Sequence, residues 1–517
     1  MFLSIEVIKF ILMEFSIVKP MLLFSLVSLL SILSISVCLV LTCLNSISFA
    51  QEILDQQLEE KNPTIKDPNL KIVTVVEGLK KPTSMTFLGQ NDFLVLEKNT
   101  GMVKRIVNGN ILVPPVLDVS VANEKERGML GVAVQSKDIN NGDLKINMLE
   151  PKVHNTNTTY VYLYYTESSG EDGNDDCPLI NYCEEGTEPK GNRLYRYLLD
   201  EGKLVDPELL LELPSSPGSD HLGGSLIIGP DGNIYLSSGD GHSCSYGSCD
   251  NGTKNTVLNS KSANEQNGNE PNGRGGIIRI TQDGLPVYED SKNGILGEDD
   301  SLDKYYAYGI RNSFGIDFDP LTGNLWDTEN GPSFGDEINL VEPGFNSGWS
   351  KIQGIWPINN ITLLLPQGIV PPYRGYFENE RNHLNQSKDS DQKKLVDFDG
   401  KGKYSDPEFI WNNTMGVTAM KFFNSEKLGK SYENDLFVGD YSLGRLYHFD
   451  LNEDRTGLAL NGSLADKIAE SSVREDLGQI IFADGFDAIT DIEVGPDGYL
   501  YIVSHKGGKV FKIIPSM

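Results

Sequence analysis

The chain has 517 residues, among them 52 glycines and 25 prolines, with 9% aromatic residues and a formal net charge of -29. That length holds more than one ordinary domain or one large repeat-built domain, and the many turn formers favour short strands over long helices. The negative field repels phosphate, which argues against a nucleic-acid or anionic-membrane surface role; the charge itself serves solubility or, at acidic loops, divalent-cation binding.

Residues 1–50 stand apart from the fold. An almost uninterrupted apolar run from Met21 to Leu44 follows Lys19 and precedes Ser46-Ile-Ser-Phe-Ala50, a small-residue cleavage pattern before Gln51. This predicts an export signal; the run is also long enough to span a bilayer, so an uncleaved anchor, the one expected membrane attachment, is the alternative. Residues 51–70 read as a polar linker and 71–517 as the folded body. Cys38 and Cys43 lie in the apolar run, leaving Cys177, Cys183, Cys244 and Cys249. An even set in an exported chain predicts two disulfides, and of the three pairings the local one, 177 with 183 and 244 with 249, is preferred. A zinc site is the alternative, but the spacings lack the usual ligand pattern. Sequons at Asn157, Asn251, Asn360, Asn385, Asn412 and Asn461 fit exposed, glycosylated loops of a secreted protein.

After the linker the chain repeats one phrase: an apolar strand, a Gly/Asp turn and a second apolar strand. It occurs at Ser84–Leu96, Ile228–Leu236, Phe318–Trp326 and Val494–Ile502, with a companion strand at Gly101–Ile106, Gly276–Ile280, Gly444–Phe449 and Gly508–Ile513. Both phrases alternate at period two across hairpin-type turns. Self-similar units spaced by roughly 75 residues predict a β-propeller, whose radial repetition protects strand edges. The expected fold is all-β, a six-bladed β-propeller with long top-face loop insertions at 138–157, 171–188, 241–273 and 354–404.

Between the first two repeats of that phrase, Asp220-His221-Leu222-Gly223-Gly224 leads into Ser225–Leu236. A histidine is thereby set beside a carboxylate and two glycines that permit close approach of backbone or ligand. Such a histidine suits proton transfer near neutral pH, or else is a structural residue satisfied by loop hydrogen bonds. Asp220 either orients the loop or favours the protonated imidazole, which would hinder a base.

The motifs gain specificity from their order. Glu126-Arg-Gly-Met-Leu-Gly-Val132, Asp220-His221-Leu-Gly-Gly, Gly275–Ile280, Tyr308-Gly-Ile-Arg-Asn-Ser-Phe-Gly315, Glu329-Asn-Gly-Pro332 with Gly335–Leu340, and Asn346-Ser-Gly-Trp349 together resemble the soluble quinoprotein glucose/sorbosone dehydrogenases. The resemblance runs from about Val73 to Ile514. It implies a six-bladed propeller carrying pyrroloquinoline quinone (PQQ) and Ca²⁺ on its top face. It implies that His221 takes the proton from the anomeric hydroxyl of an aldose while hydride passes to the quinone. Arg311 would face the quinone oxygens and stabilise charge developing there. Asp220, Asn312 and Glu126 would lie against the cofactor, Glu126 at a position where relatives carry glutamine. Gly331 and Pro332 would hold the cofactor calcium through their carbonyls, and Asp336 and Glu337 a second calcium. Without the resemblance, Arg311 reads equally as a buried structural arginine, and the Asp336-Glu337 pair as a turn cap.

Some expected cations are missing. Where relatives carry Arg-X-Arg-Asp the chain has Ala488-Ile-Thr-Asp491, Ser442 stands at an expected lysine, and Ser347 replaces a tyrosine. PQQ carries three carboxylates, so these losses weaken its site unless other cations replace them, and Arg127, Arg445 and Lys506 are the nearest candidates. The expectation is an exported sugar dehydrogenase oxidising an aldose to a lactone, with a small-molecule sugar as substrate and an electron acceptor the sequence does not name. The alternative is a propeller without redox chemistry that binds carbohydrate or a cell-surface partner.

Overall fold

Period-two alternation between Gly/Asp turns yields strands throughout. The computed structural model describes residues 62–136, 158–169, 189–215, 218–241, 259–288, 294–298, 300–332, 334–355, 395–469 and 477–516. Among them helix is nearly absent, with 3-10 turns at Lys261–Ala263 and Gly462–Leu464. Residues 63–517 form one compact unit. The export segment, the four body cysteines and the sequons at Asn157, Asn251, Asn360 and Asn385 lie outside the described residues, whereas Asn412 and Asn461 sit in solvent-reachable loops.

The strands assemble into six sheets. In chain order their first strands are Pro82–Gly89, Met129–Ser136, Leu226–Ile228, Ser313–Phe318, Val417–Phe422 and Ile489–Val494. Each first strand touches the first strand of the next sheet, and the sixth touches the first, so the ring closes. This is a β-propeller. The last sheet is completed by the beginning of the chain: Leu70–Glu77 pairs antiparallel with Lys509–Pro515. Thr64–Ile65 likewise adds to the fifth sheet opposite Ala483 and Asp484, so the stretch expected to be linker up to residue 70 is partly built into the fold.

The first strands start side by side. Thr83 Oγ1 donates to Met129 O at 2.8 Å, Gly223 N–H to Asn312 Oδ1 at 3.1 Å and Thr490 Oγ1 to Pro82 O at 3.0 Å, while Thr418 Oγ1 donates to Ile489 O. Every segment leading into a first strand therefore reaches one end of the ring, here the top face. So does each loop joining second and third strands, because the second strand runs back antiparallel. Apolar faces of neighbouring sheets pack between blades; Trp326, Phe409, Trp411, Tyr447 and Phe449 form one such layer. Each such ring, fully buried, contributes about 1.5–3 kcal/mol, and the layers fix the rigid scaffold beneath the top face.

Candidate active site

His221 sits on the segment leading into the third sheet, with φ at 57°, a left-handed conformation uncommon outside glycine. The Leu226–Ile228 and Ile234–Ser238 hairpin carries its register upward so that Gly241 N–H donates to His221 O at 3.0 Å. Asp240, one residue away, thereby comes beside the imidazole, with Oδ1 at 2.7 Å from His221 Nδ1. Gly239 must be glycine here: a Cβ would stand 2.4 Å from His221 O and 2.9 Å from Arg311 O. Arg311 leads into the fourth sheet and reaches the other ring nitrogen, Nη2 to Nε2 at 2.8 Å.

These contacts define the proton's place. A guanidinium has no acceptor, so Arg311 donates and His221 Nε2 holds the lone pair; Nδ1 then carries the hydrogen and donates it to Asp240. Asp240, 2% exposed, also accepts the Trp349 indole N–H through Oδ2 at 2.8 Å, and its own N–H donates to Arg311 O at 2.8 Å. Arg311 is fixed in turn: Nη1 donates to Asn330 O at 2.6 Å, its N–H donates to Glu329 Oε1 at 2.7 Å, and the guanidinium carbon lies 5.5 Å from the Trp349 ring centroid. Its Nε is buried without a hydrogen-bond partner. A cavity of about 140 Å³, lined by Asp240, Asn272, Arg274, Ile310 and Trp349 among others, opens behind the pair.

Of the residues singled out in the sequence, His221, Arg311, Asn312 and Glu126 converge. Glu126 Oε2 accepts Leu222 N–H at 3.1 Å and Asn312 Nδ2–H at 3.3 Å, and Asn312 Oδ1 accepts Gly223 N–H. Burial pushes the Glu126 carboxyl above its ordinary value, while the hydrogen bond from Leu222 N–H pulls it down. Asp220 does not join them. It pairs with Lys125 at 2.7 Å, half-exposed, and the carboxylate on the histidine is Asp240.

Gly331 and Pro332 follow the second strand of the fourth sheet, Leu325–Glu329. Asp336 braces this turn: Oδ1 accepts Gly331 N–H at 2.9 Å, and Oδ2 accepts the N–H groups of Met415 and Gly416 at 2.6 and 2.8 Å. Both oxygens are engaged with backbone, so Asp336 shapes the turn; burial pushes its carboxyl up to about 6. Glu337 behaves differently. Register places Glu329 opposite Glu337 and Asp327 opposite Asn339, and the period of two puts all four on one face. Ser347 Oγ joins them, 2.6 Å from Glu329 Oε2 and 3.3 Å from Glu337 Oε2. Burial raises the Asp327 carboxyl to about 7 and that of Glu337 to about 8, and raises Glu329 as well, with help from the charge of Glu337. Both Asp327 oxygens, Asn339 Oδ1 and Gln353 Oε1 are buried without a hydrogen-bond partner. Three carboxylates and two amide oxygens lacking donors thus share one buried face and are oxygen ligands of the type Ca²⁺ takes, although the three carboxylates do not converge within one coordination sphere in this structure.

Of the cations considered as replacements, Arg127 Nη2 donates to Ser215 O and Gly218 O at 2.7 and 3.3 Å, and Arg445 Nε lies 3.5 Å from Asp484 Oδ2. Lys506 remains on the top face, its Nζ 4.6 Å from the Tyr441 ring centroid.

The closed propeller thus gathers a histidine, an arginine and buried carboxylates on one face. The Glucose / Sorbosone dehydrogenase family model matches residues 79–356 and 382–512, and the chain belongs to that family. The aldose sugar dehydrogenase YliI of Escherichia coli is 25% identical over 341 residues, 65% of this chain and 72% of that protein. Quinoprotein glucose dehydrogenase B of Acinetobacter calcoaceticus is 28% identical over 300 residues, 56% of this chain and 54% of its own. In fold, the PQQ-bound aldose sugar dehydrogenase of Streptomyces coelicolor superposes with a TM-score of 0.52 at 19% identity, covering 88% of this chain and all of that one.

Proposed function

We propose that the protein is an exported, PQQ-dependent dehydrogenase that oxidises an aldose at its anomeric carbon to a lactone, each of the six sheets serving as one propeller blade. The observation that carries this reading is the His221 Nε2 lone pair, fixed by Asp240 behind and Arg311 in front. PQQ, when bound, supplies the acceptor for the hydride leaving the sugar carbon. The residues present fit such a group: Arg311 offers a cation with a partnerless buried Nε, and the carbonyls of Gly331 and Pro332, in the turn that Asp336 braces, would serve as oxygen ligands to its Ca²⁺. A second Ca²⁺ would lie among Asp327, Glu329 and Glu337.

His221 accepts the proton of the anomeric hydroxyl at Nε2. The substrate hydroxyl takes over the place of the Arg311 hydrogen bond, and Asp240 stabilises the imidazolium that forms. Arg311, released from the imidazole, would offer its charge to the bound cofactor, where the group accepting the hydride gains negative charge. Asn312 and Glu126 hold the backbone of Leu222 and Gly223, keeping the ring in place.

The test is reduction of an artificial electron acceptor by purified protein with PQQ, calcium and a panel of aldoses. Activity that requires PQQ and disappears in His221→Ala is expected. Sugar binding without dye reduction at any PQQ concentration would instead favour a carbohydrate-binding module.

A further inference from the structure

Beyond Arg311, the top face carries a second set of basic groups with no role in the reaction above. Lys81 leads into the first sheet, Lys98 follows its second strand, and His505 and Lys506 follow the second strand of the last sheet. They meet where those two sheets adjoin. Lys98 N–H donates to Lys81 O at 3.1 Å, His505 N–H to Ala488 O at 2.9 Å and Lys506 N–H to Asp487 O at 3.1 Å. His505 Nδ1–H and Thr490 Oγ1–H both donate to Pro82 O, at 3.0 Å each, tying the last sheet to the first. Ala488 and Thr490 are the positions that offer no cation of their own.

None of the three lysines forms an ion pair among the described residues. Lys98 Nζ donates to Asn99 Oδ1 at 3.0 Å and to Asn123 O at 3.2 Å, both neutral, and Lys506 lies over Tyr441. In a chain of net charge -29 this is an anomaly. Its electrostatic trace is plain: burial and then the charge of Lys81 push Lys98 down to about 7, with Glu126 pulling the other way. His505 is held neutral by burial, and the charges of Lys98, Lys81 and Lys506 add to that effect. An anion among these groups would remove the repulsion and satisfy donors that now face only carbonyl and amide oxygens.

We propose that Lys98, flanked by Lys81 and Lys506, is a carboxylate-receiving subsite at the junction of the first and last sheets, on the same face as His221. Glu126, which accepts the N–H of Leu222 next to His221 at 3.1 Å and whose charge favours the protonated Lys98, marks the boundary between this subsite and the reacting centre. The carboxylate has two possible sources, PQQ or an acidic sugar of the uronic type. The first rests on the functional reading above; the second does not.

The test is calorimetric titration of PQQ and, separately, of glucuronate into the full chain with calcium, for the wild type, Lys98→Met and Lys98→Arg. Melting curves check that each variant folds. Loss of one charge-assisted contact should weaken binding roughly tenfold to hundredfold in Lys98→Met and be largely restored in Lys98→Arg. A loss confined to PQQ assigns the carboxylate to the cofactor; a loss confined to glucuronate assigns it to the substrate. Because Lys98 is half-buried, the exposed pair Lys81→Gln with Lys506→Gln is a second variant, expected to weaken the same probe without disturbing packing. Equal binding of both probes by wild type and variants, or binding of neither probe by the wild type, overturns the subsite. PQQ bound equally by all variants, with glucuronate binding likewise unchanged, would leave the dehydrogenase reading standing while the subsite falls. Glucuronate held through Lys98 without any PQQ binding would do the reverse.

Discussion

At the scale of single residues, the site turns on which nitrogen of His221 carries hydrogen. Asp240→Asn would present an amide donor to Nδ1, driving the hydrogen to Nε2, where it would oppose the Arg311 guanidinium. In the dye-reduction assay this variant should lose about two to four orders of magnitude in kcat, with the loss larger than any change in KM. Asp240 was not legible in the sequence as a partner, although the hairpin register from Leu226 opposite Leu236 does extend to its neighbour Gly241. Asp220, adjacent in sequence, was the obvious candidate, but the left-handed turn at His221 sends it to Lys125 instead. His505 gives a separate, pH-based prediction. Burial holds it down to about 4 against an ordinary 6.5, so the unfolded chain gains this proton first as pH falls. Its contribution to stability is present above 6.5 and lost progressively toward 4. Urea denaturation should show the wild type losing about 2 kcal/mol more than His505→Asn between neutral pH and about pH 5.

At the scale of elements, the first strands of the fourth, fifth and sixth sheets share a charge network. Lys421 Nζ lies 2.9 Å from Glu493 Oε2 and 3.5 Å from Asp317 Oδ1, and Asp491 nearby accepts Met85 N–H at 2.7 Å. Lys421→Met would leave these carboxylates without their cation, and urea denaturation should show a loss of about 3 kcal/mol. The strand pair Leu325–Glu329 and Asp336–Val341 carries a second expectation. If Asp327, Glu329 and Glu337 hold Ca²⁺, chelation should lower Tm by about one to two degrees and added calcium should restore it, roughly the effect of 1–2 kcal/mol. Asp327→Asn with Glu337→Gln should abolish that response in a melting assay. The strands themselves were legible because Gly/Asp turns and period-two alternation are local signals. The acidic face was not, because Asp327 and Glu329 gain meaning only when pairing sets them against Asn339 and Glu337.

For the whole molecule, the ring depends on the strand Leu70–Glu77, which supplies the outer edge of the last sheet. Deleting residues 62–78 would leave Lys509–Pro515 as an open apolar edge. That truncated chain should elute as aggregate in size-exclusion chromatography, whereas a chain starting at residue 62 should remain a folded species. The repeats announced a propeller, but no repeat announced this closure, since the closing strand has no hairpin partner in sequence and pairs only through the completed ring.

That closure also governs the order of events during synthesis. Leu70–Glu77 emerges early yet finds its partner only when Lys509–Pro515 has been made, so one of the earliest strands waits for the last. The nascent chain therefore remains an incomplete arc through nearly all of translation, and the most distant pairing along the chain is the one that locks it. The Lys98 and Lys506 corner lies where this last sheet meets the first, so the site comes into being only once the last sheet is in place.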